Sequence, residues 1–386
     1  MDVFKIFTSA ALISLSASSI WESWVQTVTV VNQGTCGRHV KFTSVKGGYA
    51  LQGHVIKNLT LHLDIRNPCG GQCVMQSRCV SYNIGPPIND KVICELSDSD
   101  QYLHPDDLKP RPGFTYTGTE NACSSNPCFF NGTCLSGFTN KKYHCVCPAC
   151  STGENCEIAK FQTCNELYDS NLSEGNKAYP LKLGSATFPV YCHMTNDLGS
   201  CGGGGWTLVM KINGNKSTFH YDSTYWNDRN EYNLPGGETG FDMQETKLPT
   251  YWNIPFSKIC LGMKIGQQTK FIIISKTANS LYSLIADGQY RATSMDRNMW
   301  QTLIGSQYSL QLNCNKEGFN SFCVSSCRAR IGIVANNENN CLSCDSRIGF
   351  GTGGHPDDSN ACGNTVKYNG RNGDKDVKTM GYILVQ

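Results

Sequence analysis

Four cysteines near the C-terminus have a spacing that could hold a metal ion. They follow the pattern Cys-x3-Cys-x13-Cys-x2-Cys, and they are Cys323, Cys327, Cys341 and Cys344. This pattern is typical of structural zinc sites, in which thiolates bind the metal. The same side chains could form disulfides instead, and the redox state of the compartment decides between the two chemistries. The N-terminal sequence bears directly on that choice.

The N-terminus has the features of a secretory signal peptide. Lys5 precedes an apolar run from Ile6 to Leu15, and the small residues 16–19 follow it. We expect cleavage near residues 17–20, which assigns residues 1–19 to the signal peptide. No later segment is apolar over 18 consecutive residues, so the sequence predicts no membrane span. In a secreted chain the four cysteines would form disulfides rather than a zinc site.

Composition narrows the range of partners. The chain has 386 residues, with 33 basic against 31 acidic side chains, and its Lys and Arg residues form no runs. Nucleic acid and anionic membrane are therefore not expected as partners, because both need a basic surface. The 38 glycines and 22 cysteines favour a multi-domain, disulfide-rich and mostly β architecture.

Six cysteines form a compact block in the middle of the chain. They are separated by four, five, ten, one and eight residues, and they are Cys123, Cys128, Cys134, Cys145, Cys147 and Cys156. About forty residues cannot bury enough apolar surface to fold without cross-links. The segments 126–128, 131–134 and 153–157 resemble the EGF-like family, and we assign residues 119–157 to such a domain. The resemblance implies the pairs Cys123–Cys134, Cys128–Cys145 and Cys147–Cys156.

Residues 26–118 contain a second recognisable pattern. Asn67-Pro68 predicts the start of a helix, and residues 79–84 and 92–96 predict strands. The pattern Cys-x3-Cys-x5-Cys-x-Ser-Tyr-Asn that starts at Cys69 resembles the PAN/apple family, a small α+β domain that binds proteins or carbohydrates. The resemblance implies the pairs Cys69–Cys94 and Cys73–Cys79. Two consecutive glycines, Gly70 and Gly71, should weaken the helix.

Residues 158–386 form the largest segment. β-Branched and aromatic runs predict strands at 206–212, 270–275, 330–335 and 380–385. The stretch 164–212 resembles the start of fibrinogen C-terminal-like domains, which are large, mostly β, α+β folds. That resemblance implies a Cys164–Cys192 bridge. Further on, residues 333–338, 347–351 and 361–363 are more similar to intelectin-type lectins.

The intelectin resemblance implies calcium, the only cofactor that the sequence suggests. Alignment to that family puts oxygen donors on or near its ligand positions, namely Asn337, Glu338, Asp345 and Asp357. In intelectins a sugar diol completes the metal's shell. The tryptophans of that sugar site have no counterpart here, and only Tyr368 offers an aromatic ring nearby. The alternative is that these residues lie in solvated turns, which Asn, Asp and Pro favour in any case.

Cysteine parity suggests one more bridge. The first block leaves Cys36 over and the second leaves Cys150 over, so we hypothesise a Cys36–Cys150 bridge; an intermolecular bond at either is the alternative. The sequence leaves open how the other downstream cysteines pair, namely Cys201, Cys260, Cys314, Cys323, Cys327, Cys341, Cys344 and Cys362. Sequons predict N-glycans at Asn58, Asn131, Asn171 and Asn215.

No catalytic residues are predicted. The eight histidines are scattered, with no His-x-x-x-His pair and no Gly-x-Ser-x-Gly elbow. The order of modules resembles skeletal organic matrix proteins of stony corals. We therefore expect a secreted extracellular-matrix or adhesion glycoprotein that binds matrix proteins or glycans as a scaffold. The alternatives are a soluble calcium-dependent defence lectin and, third, a secreted enzyme. The acidic residues are not dense enough to predict direct templating of mineral.

Overall fold

The computed structural model describes residues 26–30, for which only the backbone is considered, together with 38–62, 67–324, 326–368 and 370–386. The predicted signal peptide and Cys36 lie outside these residues. The chain divides into two compact units, residues 1–148 with 153–157 and residues 149–152 with 158–386. Within the described residues, no helix combines the length and the apolar character that crossing a membrane requires.

The first unit contains a six-stranded antiparallel sheet with the order β1-β2-β6-β4-β5-β3. Its strands are β1 (Gln26–Val30), β2 (Arg38–Leu51), β3 (Val55–His62), β4 (Ser81–Ile84), β5 (Lys91–Ser97) and β6 (Leu108–Thr119). Helix α1 (Pro68–Met75) packs on this sheet through a buried cluster that includes Val74, Tyr82 and Leu96. A 3-10 turn, Pro105–Asp107, precedes β6.

Helix α1 begins where the sequence predicts it. The Asn67 side chain accepts a hydrogen bond from the Gly70 N–H at 2.9 Å, which satisfies one of the free amides of the first turn. A Cβ at position 70 would lie 2.3 Å from Asn67 Nδ2, so the capping side chain needs a glycine there. The glycine that weakens the helix in the sequence is therefore required by its cap. The two bridges that the resemblance implies, Cys69–Cys94 and Cys73–Cys79, are present.

A small hairpin completes the first unit. Its strands are β7 (Thr133–Ser136) and β8 (Tyr143–Val146), preceded by a 3-10 turn at Ala122–Ser125. The three implied bridges are present: Cys123–Cys134, Cys128–Cys145 and Cys147–Cys156. The buried Arg38 joins the hairpin to α1, because its Nε donates to Ser136 O at 2.8 Å and its Nη1 to Cys73 O at 2.7 Å. Burial lowers the pKa of Arg38 to about 10.

The second unit is built on two sheets. After the two-stranded pair β9 (Ser151–Thr152) and β10 (Ile158–Ala159), a seven-stranded antiparallel sheet has the order β11-β12-β13-β22-β15-β16, with β14 paired to β13. The strands are β11 (Lys177–Leu183), β12 (Ala186–His193), β13 (Trp206–Asn213), β14 (Thr246–Lys247), β15 (Phe256–Ile265), β16 (Gln268–Ala278) and β22 (Met380–Val385). Strand β22 lies at the centre, and all six of its residues are buried.

The second sheet has five strands in chain order. They are β17 (Asn313–Phe322), β18 (Arg328–Asn336), β19 (Ser346–Gly353), β20 (Cys362–Val366) and β21 (Lys375–Lys378). Four helices accompany the two sheets: α2 (Cys164–Asp169), α3 (Thr250–Asn253), α4 (Leu281–Ile285) and α5 (Arg297–Ile304). Short 3-10 segments lie at Gly199–Cys201, Thr224–Trp226, Leu234–Gly237 and Gly305–Gln307. A large core with three fully buried tryptophans holds this unit together. Strands occur at all four positions predicted for this segment.

Most of the remaining cysteines form disulfides, and a few are thiols. The implied Cys164–Cys192 bridge is present. Six of the eight cysteines left open form the pairs Cys201–Cys260, Cys314–Cys341 and Cys323–Cys344, and Cys362 is a buried thiol. Three of the four cysteines with zinc-like spacing are thus oxidised, and the fourth, Cys327, is a buried thiol. Cys150 forms no disulfide with any described cysteine; its predicted partner Cys36 lies outside the described residues, so that bridge stays a prediction.

The chain is mostly β and rich in disulfides, as its composition predicts. Nine disulfides occur in the described part of the chain, which is typical of proteins that fold in an oxidising compartment. The side chains of all four sequon asparagines are exposed, which N-glycosylation requires. They are Asn58, Asn131, Asn171 and Asn215.

Candidate functional site

A cleft of about 560 Å³ lies beside the second sheet, and we call it the His355 cleft. Its lining comes from the end of β17, the turn into β18, the loop after β19 and one aromatic residue from elsewhere, namely Phe322, Cys323, Val324, Ser326, Arg328, Gly354, His355 and Tyr221. The Cys323–Cys344 bridge joins one wall to the residues before β19. The lining therefore combines aromatic, cationic and hydroxyl groups in one concave surface.

A buried arginine holds the loop that forms one wall of the cleft. Arg347, on β19, is fully buried, and its Nη1 donates to Gly354 O at 3.1 Å and to His355 O at 3.2 Å. Its Nη2 donates to Asp357 O. Because these bonds use backbone carbonyls, the side chains of the loop remain available for other contacts. The guanidinium thus fixes the position of His355, whose peptide bond to Pro356 is cis.

The opposite wall is an aromatic ring between two arginines. The Tyr221 ring centroid lies 4.9 Å from the guanidinium carbon of Arg328 and 4.3 Å from that of Arg330. Such cation–π contacts fix both the ring and the guanidinium. Arg328 Nη1 also donates to Asp222 Oδ1 at 3.0 Å, and both of these side chains are partly exposed. An exposed pair of this kind contributes little to stability, so Arg328 can bind another anion or hydroxyl at low cost.

One corner of the site brings together an acid, an imidazole and a phenol ring. His355 Nε2 lies 3.4 Å from Asp345 Oδ1, and the His355 ring stacks on Tyr368 with centroids 6.1 Å apart. Burial is the main cause that raises the pKa of Asp345, and the nearby charge of Glu338 raises it further. The carboxylates of Asp345 and Glu338 therefore repel each other here, and the imidazole of His355 lies next to Asp345.

The structure separates the predicted calcium ligands. Asn337 and Glu338 are exposed after β18, and Asp345 is half-buried beside His355. Asp357 follows His355 on the same loop, but its carboxylate is used locally: its Oδ1 accepts from Ser359 N at 2.8 Å, and bonds from Ser359 and from Asp376 contribute to lowering its pKa to about 2.

The donor set can be compared with what calcium requires. In the described chain, the three carboxylates of the predicted set do not form a group with oxygens within 4.8 Å of one another. Calcium needs six to eight oxygen ligands at 2.3–2.6 Å. As placed, the four residues do not form a calcium shell, and no step is derived through the metal. Calcium binding stays a prediction for experiment.

Sequence reasoning did not identify the residues that build the cleft. Tyr221 and Arg328 are 107 positions apart, as their numbers give, and no local pattern connects them. Arg347 stands in the strand sequence Ser-Arg-Ile-Gly-Phe, where an arginine is normally taken as solvent-facing. The only available signal was the proximity of Tyr368 to the predicted ligand loop, and that aromatic residue does contact His355.

Comparison with known proteins gives only a short match. A stretch of 38 residues is 45% identical to Protein HEG homolog 1 of Mus musculus and 42% identical to Protein HEG homolog 1 of Homo sapiens. The match covers 10% of this chain and 3% of the length of each of these proteins. No protein-family model matches the chain. The similarity is therefore confined to one small segment.

Proposed function

We propose that this chain is a secreted adhesion glycoprotein of the extracellular matrix, and that its second unit binds glycans in the His355 cleft. The nine disulfides and the four exposed sequons support an extracellular glycoprotein. The single observation that carries glycan binding is the lining of the cleft, in which Tyr221 and Arg328 face the loop that holds His355.

The lining of the cleft suits a saccharide. Sugar rings present C–H faces that pack on aromatic side chains and hydroxyls that need directional hydrogen bonds. Phe322 supplies exposed ring surface, and Arg328, which Tyr221 holds in place, supplies donors within the same concave wall. The Ser326 hydroxyl donates to Cys344 O and can still accept a hydrogen bond. Arg347 and the Cys323–Cys344 bridge hold this surface in place before a ligand arrives. A preformed site loses less conformational entropy on binding.

The proposed architecture is a PAN/apple domain, an EGF-like domain and a fibrinogen-related domain of intelectin type. Sequence patterns support it, together with the helix on a small sheet, the three-bridge hairpin and the two-sheet unit described above. In this proposal the chain acts by binding, as a scaffold of a calcified skeletal matrix, and has no catalytic role. Its partners are matrix proteins and glycans.

Glycan-array binding of the full-length chain tests this function. We compare the wild type with Arg328→Gln, which keeps the side chain long but removes the cation from the cleft. Arg371→Gln is the matched control, because Arg371 is an exposed arginine of the same unit that does not line the cleft. We expect bound glycans to be lost or weakened about tenfold in the first variant only. Equal binding by all three proteins would rule out the cleft.

A second candidate, the calcium-dependent lectin, rests on the acidic corner of the site. Burial and the charge of Glu338 both disfavour ionisation of Asp345, and a bound cation would remove that cost. The array is therefore repeated with a chelator of divalent ions. Loss of binding with chelator favours the calcium-dependent lectin, whereas unchanged binding favours recognition by the protein groups of the cleft alone.

A further inference from the structure

A second cavity lies in the second unit, between the start of β16 and the C-terminal end of α5. It has a volume of about 670 Å³ and is distinct in its residues from the His355 cleft. Six of its lining residues carry the argument: Asp197, Lys270, Phe271, Gln301, Thr302 and Tyr308. We call it the Lys270 cavity. Neither the sequence patterns nor the proposed function assigns a role to it.

The walls of the Lys270 cavity are held by covalent and hydrogen bonds. The Cys201–Cys260 bridge joins the loop that carries Asp197 to strand β15. Ser200 Oγ donates to Phe271 O at 2.8 Å, which fixes the same loop to β16. On the other side, Trp300, Leu303 and Ile304 are buried and fix α5 against the core. The cavity is therefore preformed, as small-molecule sites usually are.

Two charged groups of opposite sign face the cavity. Lys270 is exposed, and its side-chain ammonium makes no hydrogen bond or ion pair with any described residue, whereas its backbone pairs with Met263 of β15. Asp197 is held from one side, because its Oδ1 accepts from His193 Nε2 at 2.5 Å and from Thr195 Oγ1 at 2.6 Å. Its other carboxylate oxygen has no partner among those bonds. A ligand could therefore meet an acceptor oxygen that is held in place and, beside it, an unpaired ammonium.

The remaining lining provides ring surface and neutral polar groups. Phe271 and Tyr308 are half-buried aromatic residues, and the exposed Thr302 lies on the side of α5. Gln301 is 5% exposed, and its Nε2 has no hydrogen-bond partner in the described residues. A buried amide without a partner is costly, and this one lies behind the cavity wall rather than on its accessible surface.

We propose that the Lys270 cavity binds an acidic sugar unit, a uronate or a sulfated hexose, at a site separate from the His355 cleft. The sugar ring packs on Phe271 and Tyr308, its anionic group pairs with Lys270, and its hydroxyls donate to Asp197. The unpaired ammonium favours an anionic sugar over a neutral one, because a charge-assisted hydrogen bond is about twice as strong as a neutral one. Polyanionic matrix glycans consist of such units.

Calorimetry on the full-length chain tests this proposal with a defined probe. The probe is a chondroitin sulfate disaccharide, which contains a uronate and a sulfated hexosamine, and cellobiose is the neutral control with the same number of sugar rings. We expect binding of the disaccharide and at least about tenfold weaker binding of cellobiose. Equal binding of the two sugars, or no heat with either, would overturn the proposal.

Three variants locate the binding. Lys270→Gln removes the cation from an exposed position, and Thr302→Trp fills the cavity from an exposed position of α5, so neither should disturb folding. We expect each to weaken the disaccharide at least about tenfold. Lys276→Gln, on the same strand but outside the cavity, should bind as the wild type does. If Lys276→Gln weakened binding as much as Lys270→Gln, the effect would be one of net charge and the cavity would be excluded.

The two proposed sites can be distinguished by the same measurement. Arg328→Gln in the His355 cleft should leave disaccharide binding unchanged, and Lys270→Gln should leave the array profile of neutral glycans unchanged. Loss of disaccharide binding in Arg328→Gln but not in Lys270→Gln would assign the acidic sugar to the His355 cleft and refute the second site. If the array shows no glycan binding in the His355 cleft, the calorimetric measurement still tests the Lys270 cavity separately.

Discussion

Arg347 offers the sharpest test of how the fold positions the cleft. Its guanidinium is fully buried and donates three hydrogen bonds to backbone carbonyls of the loop that carries His355. Among the described residues no carboxylate is hydrogen-bonded to it, and its partners are the loop carbonyls and, at 3.9 Å, the Cys327 sulfur. Replacement by methionine keeps the length and apolar stem of the side chain but removes all three bonds. We therefore expect Arg347→Met to release the loop.

The magnitude follows from the contacts. A hydrogen bond to a charged group contributes about 1.5–3 kcal/mol to the free energy of unfolding. Three such bonds set an upper limit of about 4.5–9 kcal/mol, and it is not reached, because bonds that share one donor group are not additive. The loop lies at the surface, so water can reach its freed carbonyls. We expect a loss of about 3–5 kcal/mol, below that limit, because three bonds to a charged group are lost while water solvates the freed carbonyls.

The assay is thermal unfolding of the full-length chain, followed by tryptophan fluorescence. Trp206, Trp226 and Trp300 are fully buried in the second unit, so their emission reports its unfolding. For a domain of this size, 1 kcal/mol lowers the Tm by about 2–4 °C, which predicts a fall of about 6–20 °C.

Arg371→Met, at an exposed arginine of the same unit, is the control for that measurement. Arg347→Lys should lie between the wild type and Arg347→Met, because an ammonium keeps the charge but cannot reach all three carbonyls. If Arg347→Met lowered the Tm no more than Arg371→Met, the loop would not depend on the guanidinium and the reasoning would be refuted.

Three further predictions concern single groups. Arg38→Met should destabilise the first unit by about 3–5 kcal/mol, seen as faster hydrogen exchange in α1, because the Arg38 guanidinium bonds the carbonyls of Cys73 and Ser136; unchanged exchange would contradict it. Asp345→Asn should raise the Tm at pH 7, measured with a chelator of divalent ions present. Burial raises the pKa of Asp345 in the folded state, so the stability of the wild type falls as the pH rises from the unfolded-state pKa of about 3.9 through the folded-state pKa. The gain should vanish at about pH 3, and a lower Tm at pH 7 would contradict it. Cys327 and Cys362 should resist alkylation at pH 8 in the native protein and react after denaturation without reductant, because burial raises their pKa to about 11 and about 12; rapid native labelling, detected by mass spectrometry, would be the contrary result.

Local chemistry in the sequence predicted several elements, and resemblance to known families predicted six of the disulfides. The Asn67-Pro68 start of α1 follows from interactions within one helical turn, which are local and therefore readable in the chain. The strand at 380–385 follows from a continuous apolar run, and its central place in the sheet agrees with burial on both faces. The six bridges that the family resemblances imply are present. Cysteine spacing alone does not give these pairs, because six cysteines already allow 15 different pairings.

The candidate site could not be predicted in the same way. Of the predicted oxygen donors, Asp345 lies beside His355, whereas Asp357 bonds to Ser359 and faces Asp376 instead. A one-residue change in where a loop turns decides which side chain points into a site, and the sequence carries no local signal for it. The pairing of Cys201 with Cys260 could not be predicted from the sequence either, since the two cysteines are 59 residues apart.

The sequence alone determined that this is a mostly β chain, rich in disulfides, whose cysteines fall into separate blocks along the chain. Cysteine spacing, apolar runs and helix-capping residues show this because each of them acts over only a few residues. Only the tertiary structure decided that Tyr221 meets Arg328, that Arg347 is buried under the loop of His355, and that Lys270 borders a second cavity. The physical reason is that binding surfaces form from side chains far apart in sequence, and their meeting depends on how whole sheets and loops pack.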